Sequence, residues 1–133
     1  MKDKFTYIGA REVLRKQFTS SDSTNPVEAD TAVDTLGFDA LTFVIAGKFA
    51  GSDSAVMNFT VKHSDDNSEF TDAQENQFMV SAPLSYEAPI QKVGYIGGRR
   101  YVKLVATMSK ALTQNLDITG IAVMEAPAVA PTS

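Results

Sequence analysis

Alternating apolar and polar residues mark a clear strand near the middle of the chain. At residues 55–63 one parity is mostly polar, and the other holds Ala55, Met57, Phe59, Val61 and His63. Because successive side chains of a strand point to opposite faces, this pattern predicts a strand with one buried face. Residues 64–68 (Ser-Asp-Asp-Asn-Ser) then predict an acidic turn, since short polar side chains bond nearby backbone groups.

Shorter runs of the same kind recur on both sides of this strand. The sequence predicts further strands at 31–35, 41–45, 77–81, 100–107 and 116–124. Val44 and Ala46 lie on the outward parity of their strand, which indicates that its second face is also partly covered. Gly120 predicts a bulge or a close backbone approach in the last strand. Roughly six to eight short strands without a long helix predict an all-β fold, an antiparallel β-sandwich or jelly roll over residues 19–125.

Residues 1–18 follow neither the strand period nor the helix period. They carry five basic and two acidic side chains, a charge of +3, whereas the whole chain carries −4. We therefore expect an N-terminal arm that packs on its own domain or on a neighbour, in which residues 11–18 form either a short helix or an irregular first strand. At the other end, Pro127 and Pro131 cannot continue a strand ladder, so residues 126–133 are expected to form an extended tail.

Composition and charge exclude several classes of protein. The chain contains no cysteine, so it forms no disulfide and no thiolate metal site. Residues 19–133 carry a net charge of −7, which argues against nucleic acid as a partner because phosphate binding depends on clustered Lys and Arg. The most apolar run, 41–46, is far below the roughly 20 residues of a membrane helix, so no membrane partner is expected. No signal peptide is recognisable, and we expect synthesis in the cytoplasm.

No pattern in the sequence predicts a catalytic, cofactor or metal site. His63 is the only histidine and no nucleophile motif accompanies it, so we expect a structural or surface role for it. Asp65, Asn67 and Glu69 have the oxygen spacing of a calcium loop, but Phe70 stands where that loop needs its glycine. A solvated acidic hairpin is therefore the better interpretation, and we do not expect an enzyme.

Two segments carry the residue types that are enriched at protein interfaces. Arg99, Arg100 and Tyr101 combine two guanidinium groups with an aromatic ring. The alternative interpretation places both arginines in water at a hairpin and Tyr101 at the rim of the sandwich. In the N-terminal arm, the candidate contacts are Phe5, Tyr7, Arg11 and Arg15.

Three sequence blocks, taken in order, resemble small structural proteins of tailed bacteriophages and prophages. The first, residues 33–45, has Asp-Thr-Leu-Gly-Phe before an apolar strand. The second, residues 59–72, has Ser-Asp-Asp in a hairpin after an apolar strand. The third, residues 93–104, contains Tyr-Ile-Gly-Gly-Arg-Arg-Tyr-Val-Lys. The resemblance spans roughly residues 31–107 and leaves out the arm and the tail.

The resemblance implies a virion component, in particular a head decoration or cement protein bound to the major capsid protein lattice on the outer head surface. It implies a homo-oligomer, with a trimer favoured over a dimer, and it carries over no catalytic residue. The arm would then reach neighbouring subunits. Two alternatives stay open: another virion part, such as a tail, connector or fibre-base accessory, and a carbohydrate- or protein-binding sandwich module. Sugar-binding modules usually expose Trp and Tyr, and the chain has no Trp and four Tyr, which counts against them.

Overall fold

The computed structural model describes residues 7–29, 31–38 and 40–126, with the backbone alone for residues 7–10 and 126. Ten β-strands form along these residues, and a 3-10 turn at Glu75–Gln77 precedes the seventh. The strands are β1 (Tyr7–Phe18), β2 (Val27–Glu28), β3 (Val33–Asp34), β4 (Ala40–Phe49), β5 (Met57–Ser64), β6 (Thr71–Asp72), β7 (Phe78–Val80), β8 (Ile90–Tyr95), β9 (Tyr101–Met108) and β10 (Leu116–Ala126). None of the described segments is a helix long and apolar enough to cross a membrane.

The strands form two antiparallel sheets that pack face to face. In the front sheet the strand order is β1-β10-β4-β8-β7. In the back sheet the order is β2-β9-β5-β6, and β3 also pairs with β9. The chain passes back and forth between the two sheets: β4, β7 and β10 each follow a strand of the back sheet, and β8 then pairs with β7 in the front sheet. This arrangement is that of a jelly roll, and the predicted all-β antiparallel sandwich is confirmed.

The core lies between the two sheets and is built mainly by their central strands. Phe43 and Ile45 of β4 are fully buried, and Phe59 and Val61 of β5 pack in the same apolar cluster. The residues between them are more exposed, which is the alternation predicted for residues 55–63. Removing one such side chain from water stabilises the fold by roughly 1.5–3 kcal/mol, so this inner face is the main source of stability.

A buried glutamine links the two sheets by hydrogen bonds. The side chain of Gln91, on β8 of the front sheet, is fully buried. Its Oε1 accepts the backbone N–H of Phe59, on β5 of the back sheet, at 3.1 Å. Its Nε2 donates to Asn58 Oδ1 at 3.0 Å and to the Ser81 carbonyl oxygen at 3.3 Å. Gln91 therefore satisfies a strand-edge N–H inside the core, where an unpaired donor is costly.

β1 occupies residues 7–18 of the segment that the sequence assigned to the N-terminal arm. It pairs with β10 as an edge strand, so this part of the segment packs on its own domain, one of the two arrangements expected for the arm. A bulge at Val13 shifts the register, which is why the apolar residues there follow neither period. Of the two alternatives for residues 11–18, the irregular strand is the correct one. Gly120 lies opposite this bulge, as predicted, and residues 1–6 lie outside the described part of the chain.

The sequence did not predict β2, β6 and β8. β8 matters most, because it lies between β4 and β7 in the front sheet and pairs with β4 over six residues. Pro89 stands directly before it and Gly94 lies within it, and both residue types favour turns. At the far end, β10 includes Ala126, the first residue of the predicted tail. Residues 127–133 of that tail lie outside the described residues.

We predict that Gln91→Leu lowers the free energy of unfolding by about 1–3 kcal/mol, because the Phe59 N–H then stays buried without an acceptor. Urea denaturation of the variant and the unchanged protein measures the difference. Gln17→Leu is the matched control, since Gln17 is exposed on β1 and bonds the exposed Asp117 carboxylate. Its effect should stay within about 0.5 kcal/mol. Equal stability of Gln91→Leu and the unchanged protein would contradict a linking role for Gln91.

Candidate functional site

Three loops meet at one end of the sandwich, termed the loop end below. They are residues 35–38, 65–70 and 96–100. The strand register brings them together, because Asp34 and Ser64 flank Tyr101 from the two neighbouring strands of β9. In the front sheet, Tyr95 at the end of β8 lies opposite Leu41 at the start of β4. The loops that follow or precede these residues therefore share one surface.

The first and last residues of the front sheet lie at the same end. Tyr7 is paired with Ala126. Next to that pair, Glu125 lies opposite Ala40, the residue with which β4 leaves the first loop. The backbone at the start of β1 is therefore at the same end as residues 99–101, although the two segments are far apart in sequence.

An ion pair between Asp34 and Arg100 fastens two of the loops together. The Arg100 guanidinium donates from Nε to Oδ1 and from Nη2 to Oδ2 of Asp34, each at 2.8 Å. The Leu36 N–H donates to the same carboxylate at 3.0 Å. These bonds, with Arg100 as the larger cause, lower the pKa of Asp34 to about 2. The Thr35 hydroxyl also donates to the Arg100 carbonyl oxygen at 2.7 Å.

A buried histidine and tyrosine hold the 96–100 loop. His63 Nδ1 and the Tyr95 hydroxyl are 2.7 Å apart, and the two rings meet edge to face. The same hydroxyl accepts the Arg99 N–H at 3.0 Å, while the Arg99 guanidinium pairs with Asp65 at 3.2 Å. Burial lowers the pKa of His63, with the Arg99 charge as a second cause, and burial raises the pKa of Tyr95. His63 is thus a neutral structural residue at pH 7.

Two large apolar side chains are exposed at the loop end. Leu36 is 66% exposed at the tip of the first loop, and Ile96 is 65% exposed in the third. Ile96 and Phe38 also line a depression of about 250 Å³ beside Arg99. Exposed apolar side chains on fixed loops, with arginines beside them, are typical of protein-binding surfaces.

The predicted contact residues Arg99, Arg100 and Tyr101 lie at this loop end. Both arginines form the ion pairs described above, with about half of each side chain still exposed. Tyr101 is half-buried, and the Arg100 guanidinium lies 5.0 Å from the centre of its ring. The half-exposed arginines remain accessible to a partner, as an interface needs, while Tyr101 is partly buried, as the alternative interpretation expects. An interface role for these three residues stays a prediction.

The predicted contacts near the N-terminus are spread along β1 and beyond it. Arg11 and Arg15 are exposed on β1, and Arg15 pairs with Glu12 at 2.9 Å. The side chain of Tyr7 and the whole of Phe5 lie outside the described residues. The contact role predicted for these residues also stays a prediction.

Sequence reasoning missed Leu36 and Ile96, although a signal was present. Each residue stands directly before a glycine, Gly37 or Gly97, in a segment between two predicted strands. Side chains at turn positions point to solvent and are mostly small or polar. A large apolar residue in such a turn is therefore a recognisable indication of an exposed contact.

The outer face of the back sheet is polar, and three of its charged side chains are paired with one another. Glu28 of β2 accepts from Lys62 of β5 at 2.8 Å and from Lys103 of β9 at 2.7 Å. The two lysines, Lys103 first, lower the pKa of Glu28 to about 2. The Lys103 ammonium also lies 4.2 Å from the centre of the Phe70 ring. Glu28, Lys62 and Lys103 therefore pair with one another within this face.

The outer face of the front sheet instead exposes several large apolar side chains. Met79 is 69% exposed, Ile90 56% and Ile121 39%, and Val44 is half-buried between the strands that carry them. A depression of about 460 Å³ lies over Gly94, where an added Cβ would meet no atom within 4 Å. The outward apolar parity of Val44 was the sequence signal for this face.

The acidic turn after β5 forms as predicted. Asp66 Oδ1 accepts the Ser64 hydroxyl at 2.7 Å and the N–H groups of Ser68 and Glu69 at 2.9 and 3.1 Å. Asn67 adopts φ 59°, a left-handed conformation that Asn tolerates. Across the described ranges, no group of three or more His, Asp or Glu side chains is placed to hold a metal ion.

Among solved structures, the chain is similar to the SPBc2 prophage-derived protein YomS. The two chains share 16% sequence identity and superimpose with a TM-score of 0.50, over 90% of this chain and 95% of that one. At this level of identity the likeness concerns the fold. No protein-family model and no curated protein matches the chain.

The Tyr95 contacts require a glycine at position 97, where a Cβ would lie 2.5 Å from the phenol oxygen. We predict that Gly97→Ala displaces the ring, breaks its bonds to His63 and Arg99, and lowers the free energy of unfolding by about 1–3 kcal/mol. Gly94→Ala is the matched control, because its Cβ meets no atom within 4 Å. It should be neutral or stabilising by less than about 1 kcal/mol. Equal losses in urea denaturation would contradict this packing.

We also predict that stability depends on pH through His63, the only histidine of the chain. The unfolded chain takes up a proton near the ordinary pKa of 6.5, whereas folded His63 does so only at lower pH. The unfolded state then binds more protons, so the free energy of unfolding falls as the pH drops below about 6.5. Between about pH 7 and pH 5 the unfolding temperature of His63→Asn should change less. A parallel decline in both proteins would contradict this assignment.

Proposed function

We propose that the chain is a non-enzymatic structural protein of a bacteriophage virion, and specifically a decoration protein that binds the outer surface of the capsid. Two similarities support the proposal. The fold is similar to that of a prophage-derived protein over most of both chains. Independently, three ordered sequence blocks resemble small structural proteins of tailed phages. The proposed partner is the lattice of the major capsid protein.

The observation that carries the attachment to a capsid is the loop end. Leu36 and Ile96 expose large apolar side chains on loops that the bonds of Arg99 and Arg100 already hold in place. Because these loops are ordered before binding, little further conformational entropy is lost when a partner covers them. Each apolar side chain removed from water contributes roughly 1.5–3 kcal/mol before the costs of association.

The arginines at this end add a means of charged recognition. The Asp65–Arg99 and Asp34–Arg100 pairs are both about half exposed, so each contributes little net stability. Arg100 bonds Asp34 through Nε and Nη2, and Arg99 bonds Asp65 through Nη1, so the other guanidinium N–H groups can bond a carboxylate of the partner while the loops stay in place. The chain also enters the front sheet at this end, which favours contacts from Phe5 and Tyr7 to the same partner.

We predict that Leu36→Asp combined with Ile96→Asp weakens binding to the capsid about tenfold or more, because charged groups must then lose water at the contact. Cosedimentation with particles of the encoding phage, prepared without this protein, measures the binding. Ala111→Asp is the matched control: Ala111 is exposed in the β9–β10 loop at the opposite end of the sandwich. Unchanged binding by the double variant, or an equal loss in the control, would contradict attachment through the loop end.

Antibody labelling of intact particles separates the proposal from other virion roles. Label over the outer head surface supports a decoration protein. Label restricted to the tail or the connector would replace that role with an accessory one at that position. Absence of the protein from purified particles would contradict a virion function altogether.

A further inference from the structure

We propose that the outer face of the front sheet is a contact surface between two copies of this chain, related by a two-fold axis parallel to β4 and β10. This surface adjoins the loop end at Ile96, but its centre at Val44 and Ile121 lies outside the loop end, so the inference does not rest on the proposed capsid attachment. It rests on the chemistry of the face and on the order of charges across it. A two-fold contact uses the same patch on both copies, so the patch must be complementary to itself.

The strand register defines rows of outward-facing side chains across this face. The central row runs from Glu12 on β1 through Ile121 on β10 and Val44 on β4 to Lys92 on β8. An acid therefore stands at one side of the row and a lysine at the other, with two apolar residues between them. The side chains of Ile121 and Val44 lie on the middle two strands, where a two-fold axis would pass.

A second row repeats this order of charges. Asp117 on β10 lies opposite Lys48 on β4, one residue from the end of the strand pair. Both side chains are exposed. In both rows, then, the acid lies on the β1–β10 half of the sheet and the lysine on the β4–β8 half. Between these rows lie Arg15 on β1, which is paired with Glu12 of its own copy, and the uncharged outward residues Thr119, Ala46 and Ile90.

A two-fold axis parallel to the strands, between β10 and β4, places each row against the same row of the second copy. The order of the strands is reversed in that copy. Ile121 then faces Val44 of the second copy, Glu12 faces its Lys92, and Asp117 faces its Lys48. Opposite charges meet at both flanks of an apolar centre. An axis perpendicular to the strands through the central row would instead set Glu12 against Glu12 and Lys92 against Lys92, which is unfavourable.

The charged groups of this face have bonding capacity left for a second copy. Glu12 bonds Arg15 through Oε2, so its Oε1 stays available. Asp117 accepts a glutamine side chain at Oδ1, so its Oδ2 stays available. Among the described residues, neither Lys48 nor Lys92 forms an ion pair. The back sheet differs, because its lysines already share Glu28.

The size of the face fits a reversible pair of copies. The proposed axis overlaps four strands, β1, β10, β4 and β8, with those of the second copy. Four strands about 4.8 Å apart, exposed over some six residues of about 3.3 Å each, give roughly 400 Å² per copy. Two copies together would bury about 800 Å², which is in the range of weak, transient contacts. We therefore expect a dimer that dissociates on dilution into the micromolar range.

Sedimentation equilibrium of the full chain over a range of concentrations tests the proposal. The expected result is a monomer–dimer equilibrium that Val44→Arg abolishes. Thr60→Arg is the matched control, since Thr60 faces outward near the middle of β5 on the back sheet, and it should leave the equilibrium unchanged. A monomer at every concentration up to about millimolar, a trimer, or a dimer that survives Val44→Arg would overturn the proposal.

A charge exchange tests the direction of the axis. Lys92→Glu should weaken the dimer about tenfold or more, because it places two carboxylates together at each flank. Adding Glu12→Lys should restore most of the affinity, since these two residues meet only between copies and are separated by two strands within one copy. Thermal unfolding of each variant shows that the fold is retained. A double variant as weak as Lys92→Glu alone would overturn the proposed axis.

Discussion

Two sheets share one core, and this constraint decides where the other features of the molecule lie. In the central strands β4 and β5, every second side chain points into that core, and Phe43 and Phe59 are fully buried between the sheets. The alternate side chains of each strand must then face outward, whether they are polar or apolar. On the back sheet the outward face is polar, and two of its lysines pair with Glu28. On the front sheet it is apolar at the centre, where Val44 and Ile121 lie opposite each other, and charged at the sides, where Glu12 and Lys92 lie.

The sequence predicted the fold where local alternation is regular and missed it where local chemistry opposes the final pairing. β5 was readable because its apolar parity is unbroken. β8 was not, since Pro89 and Gly94 favour turns and only pairing with β4 makes that segment a strand. In β1, the bulge at Val13 removes the period that would have identified an edge strand.

The candidate site was predictable only in part, for a similar reason. Arg99 and Arg100 stand out by residue type alone. Their partners, Asp65 and Asp34, do not, because those pairs depend on the register of β9 against its two neighbours. The resulting division of surfaces is simple: a fixed loop end with exposed apolar tips, one sheet face with charges paired around Glu28, and one sheet face with an apolar centre at Val44. In the proposed account the first contacts a capsid and the third contacts another copy.

One measurement tests this account most directly: a cryo-electron microscopy reconstruction of particles from the phage that encodes the chain. The account predicts density for the jelly roll on the outer head surface, with Leu36 and Ile96 against the shell and the front sheets of two neighbouring copies facing each other. Density restricted to the tail or connector, or a copy that meets the shell through the charged face around Glu28, would contradict it.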